Sequence, residues 1–270
     1  MSTQPIVLLV RADDIGFSHA ANEACIRVFT HGICRSVEVM APTPWFPEAV
    51  KLLKARPTFD VGVHFTLTSE WENYKWRPLT GPSSVAAEDG FFYRTFRKND
   101  NYPDEITFEQ GEWVPADVEK ELRAQIELVR KHIPWVSHAT FHMGGLRDNP
   151  NFQGVVDGLV QEYGLGVDVA GNGFERFRAF GENSQAKTSQ EKVEALRENL
   201  AVLQPGRWIH VDHPCLDTHE SRAVWHVGYE EVAVDRQGVV DAWTDSRVLE
   251  IVAERGIRLV SYGDVKNGAL

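Results

Sequence analysis

IVLLVRADDIGFSHAANEA, residues 6–24, runs five apolar side chains into two adjacent carboxylates, Asp13 and Asp14, and then changes to helical spacing. An unbroken apolar run bounded by charge suits a strand buried on both faces, as in a parallel sheet. From Ser18 to Gly32 the apolar residues Ala21, Ala24, Cys25, Val28 and Phe29 share one helical face, with Ser18 placed to cap and Gly32 to stop. The stretch therefore reads as a strand–acid–helix unit, and the acids fall at the carboxyl end of the strand.

The unit repeats along the chain. CRSVEVMAP predicts a second strand, PEAVKLLKARP a second helix, and DVGVHFTL a third strand with His64 near its carboxyl end. Between Ser69 and Pro115 the rhythm breaks into Gly, Pro and aromatic residues, a stretch too long for a simple connection and more typical of a functional insertion or lid. It resumes with ADVEKELRAQIELVRKHI as a helix and WVSHATFHM as a strand. NFQGVVDGLVQEYGL then reads as a helix before a strand at GVDVA, and SQEKVEALRENLAVL as a helix before RWIHVDHP. DSRVLEIVAERGI closes the chain as a helix, followed by RLVSYGDV as a last strand or its exit. Roughly six to eight strands alternate with helices, which favours a distorted TIM-like (β/α) barrel over an open sheet, in one domain spanning residues 1–270 with an aromatic-rich insertion at about 69–115.

Composition narrows the function. Hydrophobic residues at 43% and charged residues at 25% are those of a globular chain able to build a sizeable core. A net charge of -11 argues against a nucleic-acid partner, because that affinity rests on Lys and Arg neutralising phosphates. Cys25, Cys34 and Cys215 are odd in number and lack metal-motif spacing, which points away from disulfides and towards a reducing compartment. With no signal-type segment and no membrane span, the expected location is the cytoplasm.

Barrel catalysis draws its groups from the carboxyl ends of different strands, and titratable residues recur there: Asp13 and Asp14, His64, His138 and His142, and His213. Two adjacent carboxylates near a buried strand end repel and are costly to desolvate unless a cation accompanies one of them. One Asp would then ligate a metal while the other stayed free as a base. A loop carboxylate beside a helix cap is the plainer alternative. His64 is a second ligand candidate. His138 and His142 face the same way along a strand but about 13 Å apart, so only one of them suits a single ion. The other would touch substrate or make an ordinary polar contact. WIHVDHPCLDTHE adds His210, Asp212, His213, Asp217 and His219, read more readily as a solvated strand exit than as a second metal site. One of these histidines could serve as general acid.

The pieces resemble the YdjC-like (ChbG/HpnK) carbohydrate deacetylase family, a distorted barrel related to polysaccharide deacetylases, over nearly the whole chain. ADDIGFSHAANEACIRVFTHGICRSVEVM is similar to the family's opening A-D-D-F-G segment, VGVHFTLT to its G-x-H-x-x-L-T strand, SHATFHM to its D-S-H-x-H-x-H motif, DHPCLD to its late H-P segment, and RGIRLVSYGDV to its closing strand. The resemblance implies that Asp14, His64 and His138 bind a divalent metal, magnesium or zinc, with Asp13 as general base and His213 as general acid. Val136 and Thr140 depart from the motif, standing where the family has Asp and its middle His, which bears on how neighbouring histidines are oriented.

The expectation is a metal-dependent hydrolase that deacetylates an N-acetylated amino sugar or short oligosaccharide. Cobalt and manganese would also suit the ligand types. Trp71, Tyr74, Trp76, Phe91, Phe92, Tyr93 and Trp113 crowd the insertion, where they either stack on sugar rings or, more simply, pack it. Arg77, Arg94 and Arg97 could read an acidic sugar; Trp71, Arg77 and His142 are the substrate-contact candidates. Two other readings share the residues: a different metal hydrolase acting on a phosphoester or non-sugar amide, and a non-catalytic sugar-binding protein. The resemblance also carries the expectation of a homodimer.

Overall fold

The computed structural model describes residues 4–270. Its centre is the strand of the opening stretch, β1 (Ile6–Ile15), with every residue buried except the half-buried Arg11. All the sheet's pairings are parallel. β2 (Ser36–Val39), β3 (Asp60–Phe65) and β4 (His138–Phe141) extend to one side of β1, and β6 (Gly206–Asp212) and β5 (Phe174–Arg176) to the other, in the order β4-β3-β2-β1-β6-β5. β7 (Arg258–Val260) pairs with β1 at Val7–Leu9, ahead of the point where β2 begins to pair at Arg11. Among the described residues β4 and β5 stay unpaired to each other, so the seven strands make a half-barrel rather than a closed one.

Helices α1 (His19–His31), α2 (Phe46–Lys54), α3 (Pro115–His132), α4 (Pro150–Glu162), α5 (Ser189–Val202), α6 (Val232–Thr244), α7 (Ser246–Glu254) and α8 (Tyr262–Lys266) flank the sheet. Ser18 caps α1, its Oγ accepting from Ala21 N at 3.1 Å. One expectation is corrected. GVDVA is loop, and the strand of that unit is the later Phe174–Arg176; Val167 and Val169 still pack on a small cluster with Val7, Leu9 and Val260, so their alternation is satisfied without a ladder. RLV forms the last strand, and YGDV is its exit, the start of α8.

From Thr66 to Val114 the only regular element is a short 3-10 turn, Phe108–Gln110. Trp76, Phe92, Phe96 and Phe108 of this stretch are buried in the main core, so most of its aromatic residues pack rather than line an opening. Among the described residues no helix is long and apolar enough to cross a membrane.

Candidate metal centre and cleft

The carboxyl ends of β1, β3 and β4 converge. The strand pairing sets His64 beside Thr140, so the chain leaving β4 puts His142 one step beyond, where Met143 turns it over with φ 51°. Asp14 stands at the end of β1 with φ 73°. Asp14 Oδ1 lies 3.6 Å from His64 Nε2 and 3.4 Å from His142 Nδ1. All three atoms are buried, and among the described residues none has a hydrogen-bond partner. Buried polar atoms without partners are uncommon and expensive. Their spacing approaches that of ligands held about 2.1 Å from one ion, roughly 3.0–3.4 Å apart. The donor set, one carboxylate and two imidazoles, fits a divalent cation.

The outer nitrogens and oxygens are engaged. His142 Nε2 meets Glu70 Oε2 at 3.0 Å, His64 Nδ1 meets Thr140 Oγ1 at 2.8 Å, and Arg236 Nη1 donates to Asp14 Oδ2 at 3.2 Å. Burial pushes His64 down to about 3, so it is neutral at ordinary pH. At His142 burial also opposes the charge, but Glu70 and Asp14 outweigh it and raise the group to about 10. A cation bound at Nδ1 would therefore displace a proton. Burial works to raise Asp14, yet His213, His142 and Arg236 hold it well below the usual carboxylate range.

Asp13 is held by Arg11. Its two oxygens accept from Arg11 Nε at 2.7 Å and Arg11 Nη2 at 2.8 Å, a bidentate pair, and Arg11 Nη1 donates to Tyr262 at 2.9 Å. The same carboxylate lies 3.8 Å from His64 Nε2 and 3.9 Å from His213 Nε2. His213 Nδ1 is 3.7 Å from Asp212 Oδ1. Burial disfavours its charge, but Asp14 and Asp212 prevail and raise its pKa. His142, Asp212 and His213 border a cleft of about 320 Å³ whose walls also include Trp71, Lys192, His226, Tyr229 and Arg236. Trp71 stacks on His226, with ring centroids 5.3 Å apart.

Not every candidate comes to this place. His138 is fully buried beneath the cluster, with Nε2 2.6 Å from Glu38 Oε1, Nδ1 2.7 Å from Ser137 Oγ, and its ring stacked on Tyr262 at 3.9 Å. Both of its nitrogens are occupied, so the geometry puts His142, not His138, in the donor set; His142 is thereby a ligand candidate rather than a substrate contact. Arg77 is exposed and lies over Phe91 at 4.1 Å, away from the cleft. Arg94 donates to Glu105 and to the Glu70 carbonyl, and Arg97 pairs with Glu109 and Asp148, so both hold loops together. Asp217 pairs with Arg222, and His219 is exposed. Arg11, Glu38, Glu70 and Arg236 were not singled out from sequence. Only Glu38 carried a signal there, as a lone acid inside the apolar run SVEVM.

Fold and site together define a class: a parallel α/β half-barrel with its polar cluster at the carboxyl ends of the strands. Within that class the chain belongs to the family of YdjC-like proteins, which matches residues 7–254. It is similar to a carbohydrate deacetylase of Geobacillus stearothermophilus, 31% identical over 60% of this chain and 59% of that protein, so the match spans less than two thirds of that relative's length. Carbohydrate deacetylase 2 of Listeria innocua is 23% identical over 96% of this chain and 98% of its own. Among solved structures, an Enterococcus faecalis protein assigned to cellobiose-phosphate cleavage superposes with a TM-score of 0.71 at 22% identity, covering 97% of this chain and 99% of that one. A CE4 family pseudoenzyme from Bacillus anthracis shares the fold at a TM-score of 0.51 and 8% identity, over 97% of this chain and 66% of that one.

Proposed function

We propose that the protein is a divalent-metal-dependent hydrolase that removes acetyl from an N-acetylated amino sugar or short oligosaccharide. The observation that carries this reading is the trio of buried, partnerless atoms Asp14 Oδ1, His64 Nε2 and His142 Nδ1 facing one another beside an open cleft. The names of the curated relatives, carbohydrate deacetylases, support the substrate class. A divalent cation held by Asp14, His64 and His142 would supply a Lewis acid for the acetyl carbonyl and make a water molecule more acidic.

The chain's own residues carry the protons. Asp13 takes the proton of the attacking water; the Arg11 fork holds that carboxylate in place, and Asp13 contributes no atom to the donor set. His213, its charged form favoured by Asp14 and Asp212, holds a proton at Nε2 and delivers it to the departing amine nitrogen. Trp71 offers an aromatic wall against which a sugar ring can lie.

The test is acetate release from a panel of N-acetylated mono- and oligosaccharides, using metal-stripped protein with zinc, magnesium, manganese or cobalt restored. Cation-dependent acetate release that disappears in Asp13→Asn supports the reading. Confirmed cation binding with no acetate from any sugar on the panel counts against it.

A further inference from the structure

Three strands bring a relay beneath the donor set, buried at Glu38, His64 and His138 and half-buried at Thr140. Glu38 on β2 pairs in register with Gly62 on β3, and Gly62 with His138 on β4; one step up, His64 pairs with Thr140. Residues two apart on a strand share a face, so Gly62 and His64 project the same way, as do His138 and Thr140. A carboxylate on β2 would ordinarily be blocked from β4 by the intervening β3 side chain. Gly62 removes that block: a Cβ there would sit 2.2 Å from Glu38 Oε2 and 2.5 Å from His138 Nε2. Glu38, fully buried, therefore reaches across β3, taking His138 Nε2 on one oxygen and the Thr140 hydroxyl on the other, each at 2.6 Å.

We propose that Glu38 and Thr140 are positioning residues for His64, fixing its hydrogen on Nδ1 so that the Nε2 lone pair faces Asp14 and His142. The proton count gives the direction. An ionised carboxylate only accepts, so the single Thr140 hydroxyl proton goes to Glu38 Oε2. Thr140 Oγ1 then has only lone pairs left, so the contact at 2.8 Å needs the proton on His64 Nδ1. In a neutral imidazole this leaves Nε2 bare, the nitrogen found buried without a partner. Thr140 thus does here what a carboxylate or carbonyl commonly does behind a ligating histidine, with Glu38 behind it in turn. The proposal rests on the reading of Asp14, His64 and His142 as a cation centre.

The experiment titrates metal-stripped full-length protein with cobalt(II) and zinc(II), by calorimetry and, for cobalt, by visible absorption, for wild type, Asp14→Asn, Thr140→Val and Thr140→Ser. The expected result is binding by wild type, loss in Asp14→Asn, about 10–100-fold weaker binding in Thr140→Val, and recovery to within a few-fold in Thr140→Ser. Thermal melts establish that each variant is folded. Independently of any variant, nitrogen-15 NMR of histidine-labelled, metal-free wild type is expected to find His64 in the Nδ1–H form. Wild type that binds neither ion overturns the centre and this proposal with it. Wild type that binds while Thr140→Val binds within twofold, or a His64 found in the Nε2–H form, overturns the relay alone.

Discussion

Asp14 holds a left-handed backbone, φ 73°, which a non-glycine residue adopts at a cost of order 1–3 kcal/mol. The turn is what separates two neighbouring carboxylates: Asp13 goes to the Arg11 fork, Asp14 to the two imidazoles and Arg236. That separation assigns them different work, and Asp13→Asn is expected to keep cation affinity within a few-fold while acetate release falls about 10²–10⁴-fold, read by calorimetry beside an acetate assay. His213 makes the pH dependence testable. Its raised pKa means that the acid form persists to higher pH, and activity falls as pH rises through that value. Asp212→Asn removes one of the groups that raise it, so the alkaline limb of the rate profile should move to lower pH; an unmoved limb would take the acid role from His213. The paired acids and His64 were legible because titratable residues at the ends of buried strands have few packing explanations. The choice between His138 and His142 was not, since it depends on strand register and on the Met143 turn, neither of which spacing reveals.

At the scale of elements, a glycine and a cap carry measurable weight. Gly62→Ala forces a methyl into the space used by Glu38 and His138, and should lower stability by about 1–3 kcal/mol in a denaturant melt. Ser18→Ala leaves an amide at the start of α1 without its acceptor and should cost about 1 kcal/mol by the same measurement. The Ser18 cap, α1, β2 and β3 could be read from sequence because local pattern and tertiary role agree there. α6 could not: Val232, Ala233, Val239, Val240, Ala242 and Trp243 are buried together with the charged Asp235 and Arg236, so the sequence shows no clear amphipathic period. Missing it meant missing Arg236, one of the groups that hold Asp14. β5 escaped for the opposite reason, because GVDVA alternates like a strand yet packs as loop.

For the whole molecule, the alternation of strands and helices foretold a parallel α/β architecture, and the seven strands fall within the expected six to eight. Closure was not readable, since the sheet's ends at β4 and β5 depend on how far each strand curves. What the half-barrel accomplishes is convergence: β1, β3 and the turn after β4 bring one candidate donor each, Asp14, His64 and His142, to a point beside the cleft. The most direct test is the amount and affinity of cobalt(II) or zinc(II) bound by metal-stripped wild type, His142→Ala and His138→Gln, measured by equilibrium dialysis with elemental analysis. About one ion per wild-type chain, loss of most affinity in His142→Ala, and retained binding in His138→Gln are the expected results. Binding kept in His142→Ala and lost in His138→Gln would contradict the choice of His142 over His138.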